Sequence, residues 1–387
     1  MKIKVSPEDF VVDEILDVPI QKKGEYSLYR LQKRHENTVN VLHEIAKESL
    51  LPFSAFSFGG RKDKHALTRQ HITINNNRTL APIKKKNYSF DFLGFLSKPM
   101  TPQFIKTNRF MIVIRDLTEE EIGQAQKGIA DVQQYGFPNY FDDQRFGTFD
   151  IPLGFLAEKI LKKHFNGALK IYLTHISSED NKETKKRKNS FLENWGHWSL
   201  CLEKAQESFE EAAFSHLIKK PKDFVFLLQR IPYEELSLFY SAYQAALWNE
   251  VLKEVVKSKA KKLQAPIRGL VEDYLFYSSP DPIEDSFLKK LTIPTCASNI
   301  KWHNLEIKNI YAQILQEHEL KLPMFNITKI RQAYFKTTER NAVVIPKNTR
   351  VQTSDDDIYT GRQKLTLNFT LPRGSYATML IKRIFSN

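Results

Sequence analysis

Hydrophobic residues recur along this chain at two spacings, and the change from one to the other marks its elements. Leu365, Leu367, Phe369 and Leu371 alternate with Lys364, Thr366, Asn368 and Thr370, the period of two that sets one face of a strand against a core. Phe110 to Ile114 is a dense β-forming run, and His71, Ile72, Thr73 and Ile74 form another through their β-branched content. Elsewhere the period lengthens to that of a helix. Ile122, Ala125, Ile129 and Val132 share a helical face, Thr118 with Glu121 makes a capping box ahead of them, and Gly136 with Pro138 stops the helix. A second helix is predicted from Asn37 or Thr38 through Leu42, Ile45 and Ala46 to a point before Pro52. A terminal helix is predicted from near Ser375, just after Pro372 and Gly374, and Leu238, Ala242, Ala245, Asn249, Leu252 and Val256 follow helical spacing in the middle of the chain. Strands interleaved with helices in this way indicate an α+β fold.

The middle of the chain has a different character. Residues from about 155 to 235 are rich in Lys, Glu and Phe, and Lys182 to Lys188 is a basic run without apolar spacing. Such a run is ordinarily a mobile, solvated loop; the alternative is a phosphate clamp. Lys257 to Lys262 is a second candidate for phosphate contact, and the Pro-punctuated stretch from Pro266 to Pro323 looks like a separate small lobe. No internal repeat has a fixed period.

Length and composition narrow the class. A chain of 387 residues, 41% hydrophobic, has room for two to three globular domains at roughly 150 residues each. Its 58 Lys and Arg against 45 Asp and Glu give a formal charge of +13, an electrostatic footprint suited to a polyanion such as RNA. Cys201 and Cys296 are far apart and carry no metal-ligand rhythm, so neither a disulfide framework nor a zinc site is expected, and a reducing, cytoplasmic setting is. Met1 to Pro7 lacks the apolar core of a secretion signal and the longest apolar run, Phe224 to Leu228, is too short for a bilayer. No membrane role is expected.

The chemistry concentrates on one carboxylate. Asp63 lies in Gly59-Gly60-Arg61-Lys62-Asp63-Lys64-His65-Ala66-Leu67-Thr68-Arg69-Gln70, a single acid among five basic side chains. Nearby cations favour the ionised form of a carboxyl group, so Asp63 is expected to be a permanent anion, able to act as a nucleophile or to anchor its basic neighbours. The strand beginning near His71 places it on a turn that leads directly into a sheet.

This segment resembles the signature of the TruD family of tRNA pseudouridine synthases, Gly-x-Lys-Asp-x-His-Ala-x-Thr-x-Gln, which reads here as Gly60, Lys62, Asp63, His65, Ala66, Thr68 and Gln70. Three further blocks follow in the family's order. Pro7-Glu8-Asp9-Phe10-Val11-Val12 leads to Gly24-Glu25-Tyr26, Lys33 and Asn37-Thr38; Pro138 to Gly147 contains Asn139-Tyr140-Phe141 and Gln144-Arg145-Phe146-Gly147; Leu371 to Thr378 closes the chain. One position departs from the pattern, since Asp142 stands where the family usually has Gly, and a side chain there restricts the loop's backbone.

The resemblance implies a pseudouridine synthase fold with a mixed or antiparallel sheet, built from residues 1–150 and 339–387, with a family-specific α+β domain inserted at 151–338. It implies isomerisation of uridine to pseudouridine at position 13 in the D-stem of tRNA, with Asp63 as the catalytic residue, Phe141 as a ring against a flipped base, Asn139 as a polar contact and Phe10 as a further substrate contact. Lys62, Arg61 and Arg145 are each placed to pair with Asp63 or with a flanking phosphate, and sequence does not choose among them. His65 fits a structural role better than that of a general base. The reaction calls for no cofactor and no metal, and a monomer is expected. Against each Phe stands a plain core role. Rival readings are a noncatalytic RNA-binding or RNA-folding protein, in which Asp63 only orders basic residues, and a metal-dependent nuclease using Asp142-Asp143; paired acids there and at Asp355-Asp356-Asp357 are expected to point apart into solvent.

Overall fold

Ten strands assemble into one mixed sheet. In the computed structural model, which describes residues 1–75 and 79–386, these are β1 (Lys2–Ile3), β2 (Phe10–Leu16), β3 (Tyr26–Arg34), β4 (Phe56–Phe58), β5 (Leu67–Asn75), β6 (Ile83–Lys84), β7 (Tyr88–Leu96), β8 (Ile105–Leu117), β9 (Lys347–Asp355) and β10 (Gln363–Pro372). They lie in the order β9-β10-β8-β2-β5-β3-β7-β6, with β1 beside β8 and β4 beside β5. Only β2 and β5 run parallel; the other described pairs are antiparallel. The predicted strands all fall in this sheet. The alternating Leu365 to Leu371 run is β10, with its four apolar side chains buried. Register sets Phe369 opposite Phe110, where the rings stack with centroids 5.3 Å apart.

Helices cover the buried face. Asn37 caps Thr38–Glu48 by accepting the Val39 amide, and Val41, Leu42 and Ile45 pack with Tyr29, Leu31, Ile72 and Phe90. Burying a side chain such as Leu42 is worth about 1.5–3 kcal/mol, and truncating it to Ala is expected to cost about 2–5 kcal/mol. The capping box of Thr118 and Glu121 opens Glu119–Tyr135, which packs on the terminal helix Ala377–Ile384. Gly128 permits that approach: a Cβ there would lie 2.1 Å from the Ile384 carbonyl oxygen.

The chain divides into two compact units, Met1–Phe137 with Val344–Asn387, and Pro138–Val343. The second is largely helical around Tyr233–Lys259, a 27-residue helix whose buried residues include Leu247, Trp248, Val251 and Leu252. Here several expectations need correction. Lys182–Lys188 is not a loop but the start of helix Lys182–Glu193, capped by Asn181. Its spacing looked polar throughout because one inward position is Arg187, which is buried and bonds Glu210 at 3.1 Å, Gln206 at 2.6 Å and Glu207. In the second basic run Lys257 pairs with Glu254, Lys259 with Glu306 and Lys261 with Asp281, so these charges are largely answered within the chain. Residues 266–323 belong to the second unit rather than to a lobe of their own. Among the described residues no helix is long and apolar enough to cross a membrane.

The acidic triplet is not solvated as a group either. Asp355 is exposed, but Asp356 is buried and accepts the amides of Asp116 at 2.9 Å and Ile358 at 2.9 Å. Arg115, on β8, binds Asp356 at 3.0 Å, Asp357 at 2.9 Å and the buried Asp9 at 2.9 Å. Removing one partner from a buried ionic cluster leaves the others desolvated and unpaired. We predict that Arg115→Ala lowers the stability of the first unit by about 3–5 kcal/mol, read as a shift of the urea midpoint; a shift within experimental error would show that water replaces the guanidinium.

Candidate active site

The loop bearing Asp63 is fixed from below before its carboxylate meets anything. Gly60 takes φ 129°, a backbone shape open to glycine, and its carbonyl accepts from Gln70 Nε2 at 3.4 Å. Gln70 in turn accepts from Thr38 Oγ1 at 2.9 Å, and that hydroxyl receives the Lys62 amide at 3.4 Å. Lys33, on β3 and fully buried, donates to the Asp63 carbonyl at 2.6 Å. Burial pulls the Lys33 ammonium down to about 8, against the upward pull of Asp63 and Glu36.

The partner of the Asp63 carboxylate is Lys4, whose Nζ reaches Oδ2, while Oδ1 accepts the His65 amide at 2.9 Å in an Asx-turn. Lys4 and Asp63 are each less than one-fifth exposed. Burial pushes the Asp63 carboxyl up, but the charge and hydrogen bond of Lys4, helped by the His65 amide, outweigh it and hold the group below its ordinary value. Lys4 Nζ also stands 4.4 Å over the Phe10 ring. Phe10 itself is buried, edge-on to Phe110 at 6.3 Å, so its visible part in this site is the face beneath Lys4.

None of the basic residues nearest in sequence pairs with Asp63. Lys62 turns to Glu14, with Nζ to Oε1 2.8 Å and a further bond to Asn108 at 3.2 Å. Glu14 is fully buried and also accepts the His71 amide at 2.8 Å; burial raises its carboxyl, and His71 with Lys62 more than reverses that. Arg69 binds Asp13 at 2.9 Å and Gln32 at 2.8 Å, Arg61 is exposed, and the exposed His65 ring lies against His35 at 5.0 Å. Loop and strand geometry thus disperse a charge cluster that is contiguous only in sequence.

Phe141, Asn139 and Arg145 belong to the second unit and form a group there. The Phe141 ring is half-buried, edge-on to Trp248 at 5.4 Å, with the Arg340 guanidinium 4.1 Å and that of Arg145 5.8 Å from its centroid. Asn139 is buried; its side chain donates to the Asn341 carbonyl at 3.0 Å and accepts from Arg340 at 2.8 Å. Asp143 accepts the Tyr274 hydroxyl and the Leu270 amide, both at 2.8 Å, and Asp142 is buried. These two acids therefore do not point into solvent, because the loop turns them onto their own unit.

Comparison with known proteins settles the family. The family described as tRNA pseudouridine synthase D (TruD) matches residues 1–384. The chain belongs to the TruD family. Similar full-length relatives include probable tRNA pseudouridine synthase D 1 of Methanococcus maripaludis, 30% identical with all of both chains covered. Another is probable tRNA pseudouridine synthase D 2 of Methanocaldococcus jannaschii, 32% identical over 100% of this chain and 92% of the relative. The tRNA pseudouridine synthase D of Leptospira interrogans is 31% identical over 99% and 95%. In fold the chain matches the crystal structure of the putative TruD of Methanosarcina mazei, with a TM-score of 0.72 over 99% of this chain and 93% of that one at 24% identity.

Several residues that hold these two groups escaped the sequence reading. Lys4 is 59 positions from Asp63, and its one signal was its place just before the Pro7 to Val12 block. Glu14 and Arg340 carried no signal of their own. The Asp63 pair yields a test. A depressed carboxyl pKa contributes stability that is present above the unfolded value of about 3.9 and is lost as pH falls through the lower folded value. Lys4→Met should leave burial dominant, raise the Asp63 midpoint in a carboxyl-carbon NMR titration, and remove that acid-labile stability. An unmoved midpoint would mean that Lys4 is not what holds the anion.

Proposed function

We propose that this chain isomerises uridine to pseudouridine at position 13 in the D-stem of tRNA, with Asp63 as the reacting carboxylate. The observation that carries the reading is the Asp63 carboxylate held by Lys4 and the His65 amide, with Lys4 lying over the Phe10 ring, in a member of the TruD family. The reaction breaks the bond from ribose C1′ to base N1, turns the uracil and joins C1′ to C5. It changes no oxidation state and adds no water, so a carboxylate, a water-poor pocket and donors for charge on the leaving base are the groups it requires.

A uridine within folded RNA must first leave its stack, at a cost of a few kcal/mol. In this reading Phe141 supplies an aromatic face that offsets the cost, Arg145 and Arg340 supply positive charge beside that ring, and Asn139 fixes Arg340. Lys4 keeps Asp63 ionised and Phe10 supports Lys4. Lys62 is reserved for Glu14, and Lys33 holds the Asp63 backbone. The formal charge of +13 favours the tRNA backbone through counterion release.

Asp63→Asn tests the assignment, since it keeps size and removes charge. Incubated with tRNA from cells lacking this protein, the wild type should create a carbodiimide-dependent primer-extension stop at D-stem position 13, in the presence of a chelator as in its absence. The variant should bind tRNA with near-normal affinity while turnover falls by at least on the order of a thousandfold. Retained turnover would remove Asp63 from the chemistry, shortened RNA would indicate a nuclease, and binding without any product would indicate a noncatalytic RNA-binding protein.

A further inference from the structure

Phe141 lies outside any helix or strand, so its backbone groups must find partners elsewhere. One side chain answers both. Asn249 Oδ1 accepts the Phe141 amide at 2.8 Å, and Asn249 Nδ2 donates to the Phe141 carbonyl at 2.9 Å. A side-chain amide carries an acceptor and a donor in one plane, so Asn249 grips this residue as a neighbouring strand would. The Tyr274 hydroxyl adds a bond to the same carbonyl at 3.3 Å.

The position of Asn249 sharpens the point. It is fully buried in the middle of helix Tyr233–Lys259, flanked by the buried Leu247, Trp248, Val251 and Leu252. Asn is a poor helix former, and burying its amide is costly unless every polar atom is bonded. An apolar residue would serve the helix better. What Asn249 supplies instead is directed at Phe141, and the adjacent Trp248 touches the ring of that residue edge-on. One helical turn thus holds both the backbone and the ring.

We infer that Asn249 is a positioning residue for pseudouridine formation, fixing the Phe141 peptide so that its ring presents a rigid wall to the extruded uridine. The inference rests on the stacking role proposed for Phe141 above. Asn249 acts through that residue and is not itself a reacting group. A small misplacement of a group bordering a reacting centre is known to cost on the order of a hundredfold in rate.

The test is a double-mutant cycle in single-turnover and steady-state kinetics on unmodified tRNA: wild type, Asn249→Leu, Phe141→Ala and the double variant. Asn249→Leu keeps volume and removes both bonds. It should lower kcat on the order of a hundredfold with KM little changed, and in the Phe141→Ala background it should slow the enzyme no further. Asn249→Asp, which retains the bond from the Phe141 amide, should fall between, and it carries the same cycle if the Leu variant does not fold. Losses that multiply in the double variant, or a lowered thermal midpoint with kcat intact, would make Asn249 a purely structural residue and overturn the inference. Full kcat in Phe141→Ala would overturn the stacking role and this inference together, whereas absence of product with wild type would instead overturn the proposed function.

Discussion

A buried guanidinium holds the two ends of the first unit together. Arg115 lies on the central strand β8 and binds Asp9 from the start of the chain and Asp356 from near its end. A desolvated ion cluster is stable only with all its members present, so the discontinuous unit closes where these three meet. The consequence reaches the site. Asp9 accepts the Ser6 amide at 3.0 Å and precedes Phe10, so the same cluster fixes the turn between Lys4 and Phe10, the two residues that accompany Asp63.

Above this junction the charges are sorted by burial. Glu14 is an anion without solvent, and its demand for a cation takes Lys62 out of reach of Asp63. Lys33 is required beneath the loop for the Asp63 carbonyl. Lys4 is the counterion, and its charge and hydrogen bond, helped by the His65 amide, outweigh the desolvation of a mostly buried carboxylate. The segment around Asp63 is therefore not a diffuse basic loop. It is a layered arrangement in which Lys4, Lys33, Lys62 and Arg69 each have a separate partner.

The Phe141 loop is likewise held by side chains from distant segments. Residues 139–142 lie outside any helix or strand, and Asn249, Tyr274 and Arg340 supply from other segments bonds that a strand would have provided. An aromatic ring held in this way has little conformational freedom left to lose, which is the physical meaning of preorganisation.

Local sequence by itself determined the elements whose stability is local. Period-two alternation placed β10, the Thr118–Glu121 box placed the start of one helix, Asn37 capped another, and the contiguous block around Asp63 pointed to the family. Only the tertiary structure decided the partners. Asp63 meets Lys4 from 59 residues away rather than its five sequence neighbours, because side chains on successive loop and strand positions diverge. Lys182–Lys188 folds as a helix because an ion-paired Arg187 occupies an inward position that a hydrophobic count cannot recognise. Asn249 stood in a helical pattern with nothing local to bond, and its two bonds form only when the Phe141 backbone, 108 residues away in sequence, lies against it. Hydrogen bonds and ion pairs depend on angle and distance between segments, and those quantities come into existence when the chain has packed.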